Sequence, residues 1–210
     1  MTVLLAYGDS NTHGTPPIVS IGVYDRFDAA TRWPTRAAAD LGWELVEEGL
    51  PGRTAQFDDP VMGSHMNGQA GLKMALCSHG PIDMLTIMLG TNDVKARFCA
   101  TPEMVTGGIA SLLDIAQGAE MQTRHGGFQI LVICPAVVVE VGPIKAEFYG
   151  GALKSQGLAA LYADLARARG VGFLDAGRVI SVSPLDGVHF DAPSHAGLAR
   201  AVAEALHGMV

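Results

Sequence analysis

Val3-Leu4-Leu5-Ala6-Tyr7-Gly8-Asp9-Ser10-Asn11-Thr12-His13-Gly14 begins as an unbroken apolar run and ends as a polar turn closed by glycine. A strand with one wet face alternates apolar and polar residues; an unbroken run belongs to a strand covered on both faces. Asp, Ser, Asn and Thr all start helices well, because their side-chain oxygens accept the first free backbone N–H groups. The stretch therefore reads as a buried strand that turns sharply into a helix. The same pattern recurs along the chain. Strands are predicted over Val3–Tyr7, Trp43–Glu47, Asp83–Leu89, Gln129–Cys134 and Gly172–Asp175. Between them, helices are expected at Arg32–Leu41, Gly68–Ser78, Pro102–Ala119, Ala152–Arg169 and Ser194–His207, the fourth running through Gly157. Ala136–Gly151 has no helical period and reads as an irregular loop with at most a short helical turn. Strands alternating with helices imply a parallel sheet with a helical layer on each side. In such sheets ligands bind at the carboxyl ends of the strands, so chemically active residues should cluster just after strands.

Composition narrows the function classes. The 210 residues are expected to form a single domain, 1–210, and 49% of them are apolar against 17% charged, which argues against disorder. A net charge of -7 leaves no footprint for nucleic acid or an anionic membrane. Cys77, Cys99 and Cys134 fall in no metal-binding or redox spacing, and Cys134 sits in an apolar run as a buried thiol. No apolar stretch approaches the ~20 residues of a membrane-spanning helix. A cytoplasmic location is expected.

Three segments lie where the sheet rule places a site: Gly8-Asp9-Ser10-Asn11-Thr12, Gly90-Thr91-Asn92-Asp93 and Asp186-Gly187-Val188-His189, with Leu50-Pro51-Gly52-Arg53-Thr54 as a fourth. A serine hydroxyl is a weak nucleophile until a base takes its proton. A neutral imidazole can do so when a carboxylate fixes its tautomer. Ser10, His189 and Asp186 are the candidates for these roles. The intermediate of such a reaction carries an oxyanion that needs donors already in place. The Ser10 N–H, the Gly52 N–H and the Asn92 side-chain amide can supply them. Taken singly, each has a plainer reading: Ser10 as a helix cap, Asp186-Gly187 as a turn, Asn92 as an Asx turn.

In combination, Gly8-Asp9-Ser10, Gly52, Gly90-x-Asn92-Asp93 and Asp186-x-x-His189 resemble the four blocks of the SGNH (GDSL-type) hydrolases, in order and over nearly the whole chain. Glu47-Glu48-Gly49-Leu50, Arg53-Thr54, Asp58-Asp59-Pro60 and Asp175-Ala176-Gly177 resemble its bacterial arylesterase and acyltransferase branch. The resemblance implies a three-layer α/β/α sandwich with a five-stranded parallel sheet, flavodoxin-like in outline. It implies a triad of Ser10, Asp186 and His189, an oxyanion hole of Ser10, Gly52 and Asn92, and no metal or cofactor. Where the mycobacterial member has Thr-Trp-Gly after the nucleophile block, this chain has Thr12-His13-Gly14.

The expected activity is hydrolysis of small acyl or aryl esters through an acyl-enzyme on Ser10, with acyl transfer as a side reaction. A thioesterase, a lysophospholipase or a carbohydrate deacetylase would use the same triad. A flavodoxin-like anion-binding module is the non-enzymatic alternative, although the Gly8–Gly14 turn lacks the glycine spacing of a nucleotide loop. Asp9, His13, Val138 and Val188 are expected around the substrate pocket, with Asp9 also bracing the Ser10 loop and Asp93 ordering the turn around Asn92. His65 reads as a loop residue, His195 as a surface residue, and Asp58-Asp59 as carboxylates facing water. The apolar loop Ala136–Tyr149 must pack on the core, wall the pocket or meet another subunit. The partners expected are a small ester and further copies of the chain, with no nucleic acid and no membrane.

Overall fold

The computed structural model describes residues 1–209. Five strands, β1 (Val3–Gly8), β2 (Glu44–Gly49), β3 (Met84–Met88), β4 (Gln129–Cys134) and β5 (Gly172–Asp175), form one all-parallel sheet in the order β2-β1-β3-β4-β5. Successive side chains of a strand point to opposite faces. Leu5 and Tyr7 of β1 thus join Leu85, Ile87, Ile130 and Val132 on one side, while Leu4 and Ala6 join Met84, Met88, Leu131 and Ile133 on the other. The first face is covered by α3 (Gly68–Ser78), α4 (Pro102–Ala116), α5 (Ala119–His125) and α7 (Leu158–Arg169), through residues such as Leu72, Ile109, Met121 and Tyr162. The second is covered by α2 (Trp33–Leu41) and α8 (Ala192–His207), through Trp33, Ala37, Leu198 and Val202. This is the three-layer α/β/α arrangement expected, and each fully buried Leu or Ile in it contributes about 1.5–3 kcal/mol.

Chain order reverses at β1: β2 lies to one side of it and β3 to the other. Connections leaving β1 and β3 therefore diverge to opposite sides, which opens a crevice at their carboxyl ends. Both the Gly8–Gly14 turn and the Gly90–Asp93 turn start there.

Several elements depart from the reading of the sequence. The helix from Pro102 stops at Ala116, and a separate α5 follows after Gly118, whose extended ψ of 141° interrupts the helical path. The helix expected over Ala152–Arg169 is two: α6 (Gly151–Gln156) and α7, joined at Gly157. A Cβ on Gly157 would stand 3.0 Å from the Pro102 ring, so the glycine allows α4 to start close against the junction. Asp58 is exposed as expected, but Asp59 is buried and paired with Arg97 at 2.8 Å. The four-residue α1 (Ser10–His13) ends at Gly14, whose φ of 86° suits glycine.

His195 was expected at the surface and is fully buried. It shares a helical face with Leu198, Ala199 and Val202, three, four and seven positions on, and that face packs on the sheet. Its Nδ1 accepts from the Trp33 backbone N–H at 3.3 Å, and Phe27 and Phe190 meet its ring edge-on. Burial, with Arg32 and His189 adding and Asp191 opposing, pushes its pKa from 6.5 down to about 4. The unfolded chain therefore binds a proton that the native one refuses as pH falls from 6.5 toward 4, so the stability tied to a neutral His195 is present above that window and lost within it. His195→Asn keeps an acceptor near the position of Nδ1 but does not titrate. In urea unfolding at about pH 7.5 and about pH 5, the native protein is expected to lose about 2 kcal/mol more than this variant between the two conditions. Equal losses would show that the histidine is not held neutral.

Candidate active site

Gly8 ends β1 under tight constraint: a Cβ there would meet the Thr12 hydroxyl at 2.0 Å and the Met88 carbonyl at 2.9 Å. Asp9 follows and caps α1, its Oδ1 accepting from the Asn11 N–H at 2.9 Å. The turn leaves Ser10, nearly buried, at the carboxyl edge of the sheet. From the other end of the chain, Asp186-Gly187-Val188-His189 arrives as a tight turn just before α8. Gly187 adopts φ 73°, and a Cβ on it would overlap the Val139 carbonyl at 1.8 Å, so no other residue fits.

The turn folds Asp186 back on itself. Its Oδ1 accepts from the N–H groups of Val188 at 3.0 Å and His189 at 2.9 Å. Its Oδ2 accepts from the His189 ring Nδ1 at 2.6 Å and from the Ile18 N–H at 2.7 Å. Burial alone would raise the Asp186 pKa. The His189 ring and these N–H groups outweigh it and hold the carboxyl below the ordinary carboxylate range. With Nδ1 donating to Asp186, Nε2 is left as an acceptor, and it faces the Ser10 hydroxyl at 3.0 Å. The structure thus brings together a hydroxyl, an imidazole and an ionised carboxylate across a separation of 179 residues. All three lie within hydrogen-bond reach in the order that nucleophilic catalysis needs.

Gly52 and Asn92 reach the same edge. Gly52 has φ 94° and lies in the loop after β2. The Asn92 amide donates to the Arg53 carbonyl at 3.0 Å and makes a longer approach of 3.4 Å to Asp9. Asp93 accepts from the Ala55 N–H with both oxygens at 2.9 Å, tying the turn after β3 to the loop after β2. Neither the Ser10 N–H nor the Gly52 N–H has an acceptor among the described residues.

Arg53, given no role by the sequence beyond its place in the Leu50–Thr54 segment and in the family resemblance, joins these segments. Its guanidinium donates to the carbonyls of Gly8, at 2.9 Å, and Glu48, and it stacks on the Tyr7 ring at 4.1 Å. A buried cation needs acceptors, and the carbonyls at the ends of β1 and β2 supply them.

A cavity of about 590 Å³ opens over Ser10, Gly52, Asn92 and His189. Val188 and His13 line it, as expected. The other two expected pocket residues do not. Val138 is 1% exposed and belongs to the core with Val94, Phe148 and Leu158, because its N–H bonds to the Ser155 hydroxyl and turns that stretch of loop inward. Asp9 is fully buried behind Ser10, where it braces the turn; burial, opposed by the Asn11 N–H and the His189 ring, raises its pKa to about 6. One wall of the cavity was not foreseen. Lys95 and Arg97 both pair with one oxygen of Glu147, at 3.2 and 3.0 Å, while Arg97 also holds Asp59. Burial lowers the Lys95 pKa and Glu147 counters it. His65 is exposed, in a short 3₁₀ turn (Ser64–Met66). Among the described residues, no group of three or more His, Cys, Asp or Glu is placed to hold a metal, and no helix is long and apolar enough to cross a membrane.

A family model described as GDSL-like lipase/acylhydrolase matches residues 6–203. The chain is 34% identical to the M. smegmatis aryl esterase, with a TM-score of 0.94 and all of both chains covered. It is equally 34% identical to Est24, a carbohydrate acetylesterase from Sinorhizobium meliloti, again at 0.94 and full coverage of both. A carbohydrate acetylesterase family member from the same organism is 33% identical at a TM-score of 0.92, covering 100% of this chain and 99% of the other. A comparison with curated proteins returns no match. With its fold shared at that level and the family's pattern running from β1 into α8, the chain belongs to the GDSL-like lipase/acylhydrolase (SGNH) family and is an ester hydrolase.

Proposed function

We propose that this hydrolase cleaves small carboxylic esters through an acyl-enzyme on Ser10. The reading rests on one observation above all: the unbroken line from the Asp186 carboxylate through His189 to the Ser10 hydroxyl, at 2.6 and 3.0 Å. His189 Nε2 takes the Ser10 proton as Oγ forms its bond to the ester carbonyl carbon. Negative charge collects on the former carbonyl oxygen, within reach of the Ser10 and Gly52 N–H groups and the Asn92 amide. Asp186 stays ionised and stabilises the imidazolium. The carbon–oxygen bond to the alcohol then breaks, and His189 returns its proton to the leaving oxygen. Water, activated by the same imidazole, attacks the acyl carbon and frees Ser10. A second alcohol in place of water gives acyl transfer.

The alcohol side of the substrate is the part the cavity addresses most directly. The salt-bridged wall of Lys95, Arg97 and Glu147 offers donors and acceptors side by side, with Arg97 held from behind by the buried Asp59. That combination suits a hydroxylated alcohol, and the S. meliloti neighbour is a carbohydrate acetylesterase. An acetylated sugar therefore stands beside simple aryl acetates as a substrate class. Initial rates on aryl acetate, aryl octanoate, an acyl-CoA and an acetylated sugar would rank these readings.

We further propose that copies of the chain associate around the cavity mouth. Ile21, Val23, Tyr24 and Val61 stand exposed at its rim, Tyr24 at 95%. Apolar side chains gathered this way favour being covered. The exposed free thiols Cys77 and Cys99 fit a reducing, cytoplasmic setting, which cell fractionation would test.

A fluorophosphonate is expected to label Ser10 and to leave Ser10→Ala unmodified; labelling of the alanine variant at another residue would dismiss the assignment. Asn92→Ala is expected to lower turnover on an aryl acetate by about 10²–10³ with the fold retained, and unchanged turnover would remove Asn92 from the oxyanion site. Sedimentation at micromolar concentration is expected to show an oligomer that Tyr24→Asp weakens; a monomer throughout would refute the association.

A further inference from the structure

We propose that Asn11 is a positioning residue that holds His189 against Ser10, an inference that rests on the triad reading above. Asn11 is buried and directly follows Ser10. Its side-chain Nδ2 donates to the Val188 carbonyl and its Oδ1 accepts from the Phe190 N–H, both at 3.1 Å. These two groups flank His189 on either side. The Asn11 amide thus bonds the backbone groups immediately before and after His189 with its two ends.

The backbone groups of His189 itself are also held. The His189 N–H donates to Asp186 Oδ1 at 2.9 Å, and its carbonyl accepts from the Ser183 N–H at 2.8 Å. His189 is thus gripped from both sides, and one grip comes from the residue bonded to the nucleophile. The anchor itself is fixed. The Asn11 N–H donates to Asp9, and its carbonyl accepts from the buried Trp33 indole N–H at 3.1 Å. The Trp33 backbone is in turn tied to His195 of α8. Nucleophile and base are consequently referenced to one rigid body rather than to two loops that meet by packing alone.

The letters naming the family read Gly-Asp-Ser-Leu, and this chain carries asparagine at the fourth position. Leucine there would fill the space and leave the Val188 carbonyl and Phe190 N–H without these partners. A displacement of about 1 Å in a catalytic group can cost about a hundredfold in rate. In Asn11→Leu, kcat on an aryl acetate, counted per titrated active site, is expected to fall about 10- to 100-fold with KM within about threefold of the native value. The rate of fluorophosphonate labelling should fall by a similar factor. A folded variant whose kcat and labelling rate both stay within about twofold of native would overturn the proposal, even if it melts at lower temperature.

Asn11→Asp supplies an independent readout and decides alone if the leucine variant does not fold. It keeps the acceptor for Phe190 and loses the donor to Val188, which protonation of the new carboxyl would restore. The titratable groups around this position are Asp9, Asp186, His189 and His195, and both proteins share them. The ratio of variant to native kcat is therefore expected to rise on acidification, and a pH-independent ratio would contradict the clamp. Native protein that takes no label at Ser10 would instead bring down the triad reading beneath it, so the two failures are distinguishable.

Discussion

A 3.0 Å contact between the Ser10 hydroxyl and the His189 ring joins the turn after the first strand to the turn before the last helix, and the chemistry we propose depends on its being kept. Neither partner sits on a long element. Ser10 opens a helix of four residues, and His189 lies in a turn. Precision must therefore come from what surrounds them. β1 is central in the sheet and paired on both sides, so the point from which Ser10 departs is rigid. On the other side, the Asp186 carboxylate collects four N–H donors within its own turn and from Ile18, which fixes the ring it orients.

Three buried carboxylates near the site show how environment divides one chemical group among different tasks. Asp186 shares a hydrogen bond with an imidazole and is held ionised below the usual range. Asp9 and Asp93 are buried without a cation in direct contact, and burial, opposed by backbone N–H groups, raises them to about 6 and about 7. Burial disfavours the charged form; a partner that becomes cationic restores it. Asp9 and Asp93 act as braces, aligning the Ser10 and Asn92 turns through backbone N–H groups. Of the three, Asp186 alone bonds directly to an imidazole.

The loops carrying Gly52 and Asn92 are joined by the same economy of short links. Arg53 spans the ends of β1 and β2 with its guanidinium and receives the Asn92 amide on its carbonyl. Three loops after three strands are thereby referenced to one another before a substrate arrives. Beyond them, the cavity is polar at Lys95, Arg97 and Glu147 and carries exposed apolar side chains at its outer rim.

Much of this was legible in the chain itself. Apolar runs without alternation over β1, β3 and β4, with Thr86 the one polar residue inside them, define a sheet covered on both faces, since a strand exposed to water on one side alternates. Glycine at 8 and 187 and the polar residues beside them mark the turns, because local sterics and capping act over a few residues and are written in those residues. The sequence also picked out Ser10, Gly52, Asn92, Asp186 and His189. What lies beside what depends on packing across the sheet, and there the local reading ran out. Val138 and His195 were placed on the wrong side of the surface because their neighbours come from other layers. The pairing of Asp59 with Arg97, the break at Gly157 against Pro102, and the grip of Asn11 on both sides of His189 each join residues far apart in the chain. Patterns of period two or 3.6 assign faces to single elements, whereas only the assembled layers determine which faces meet.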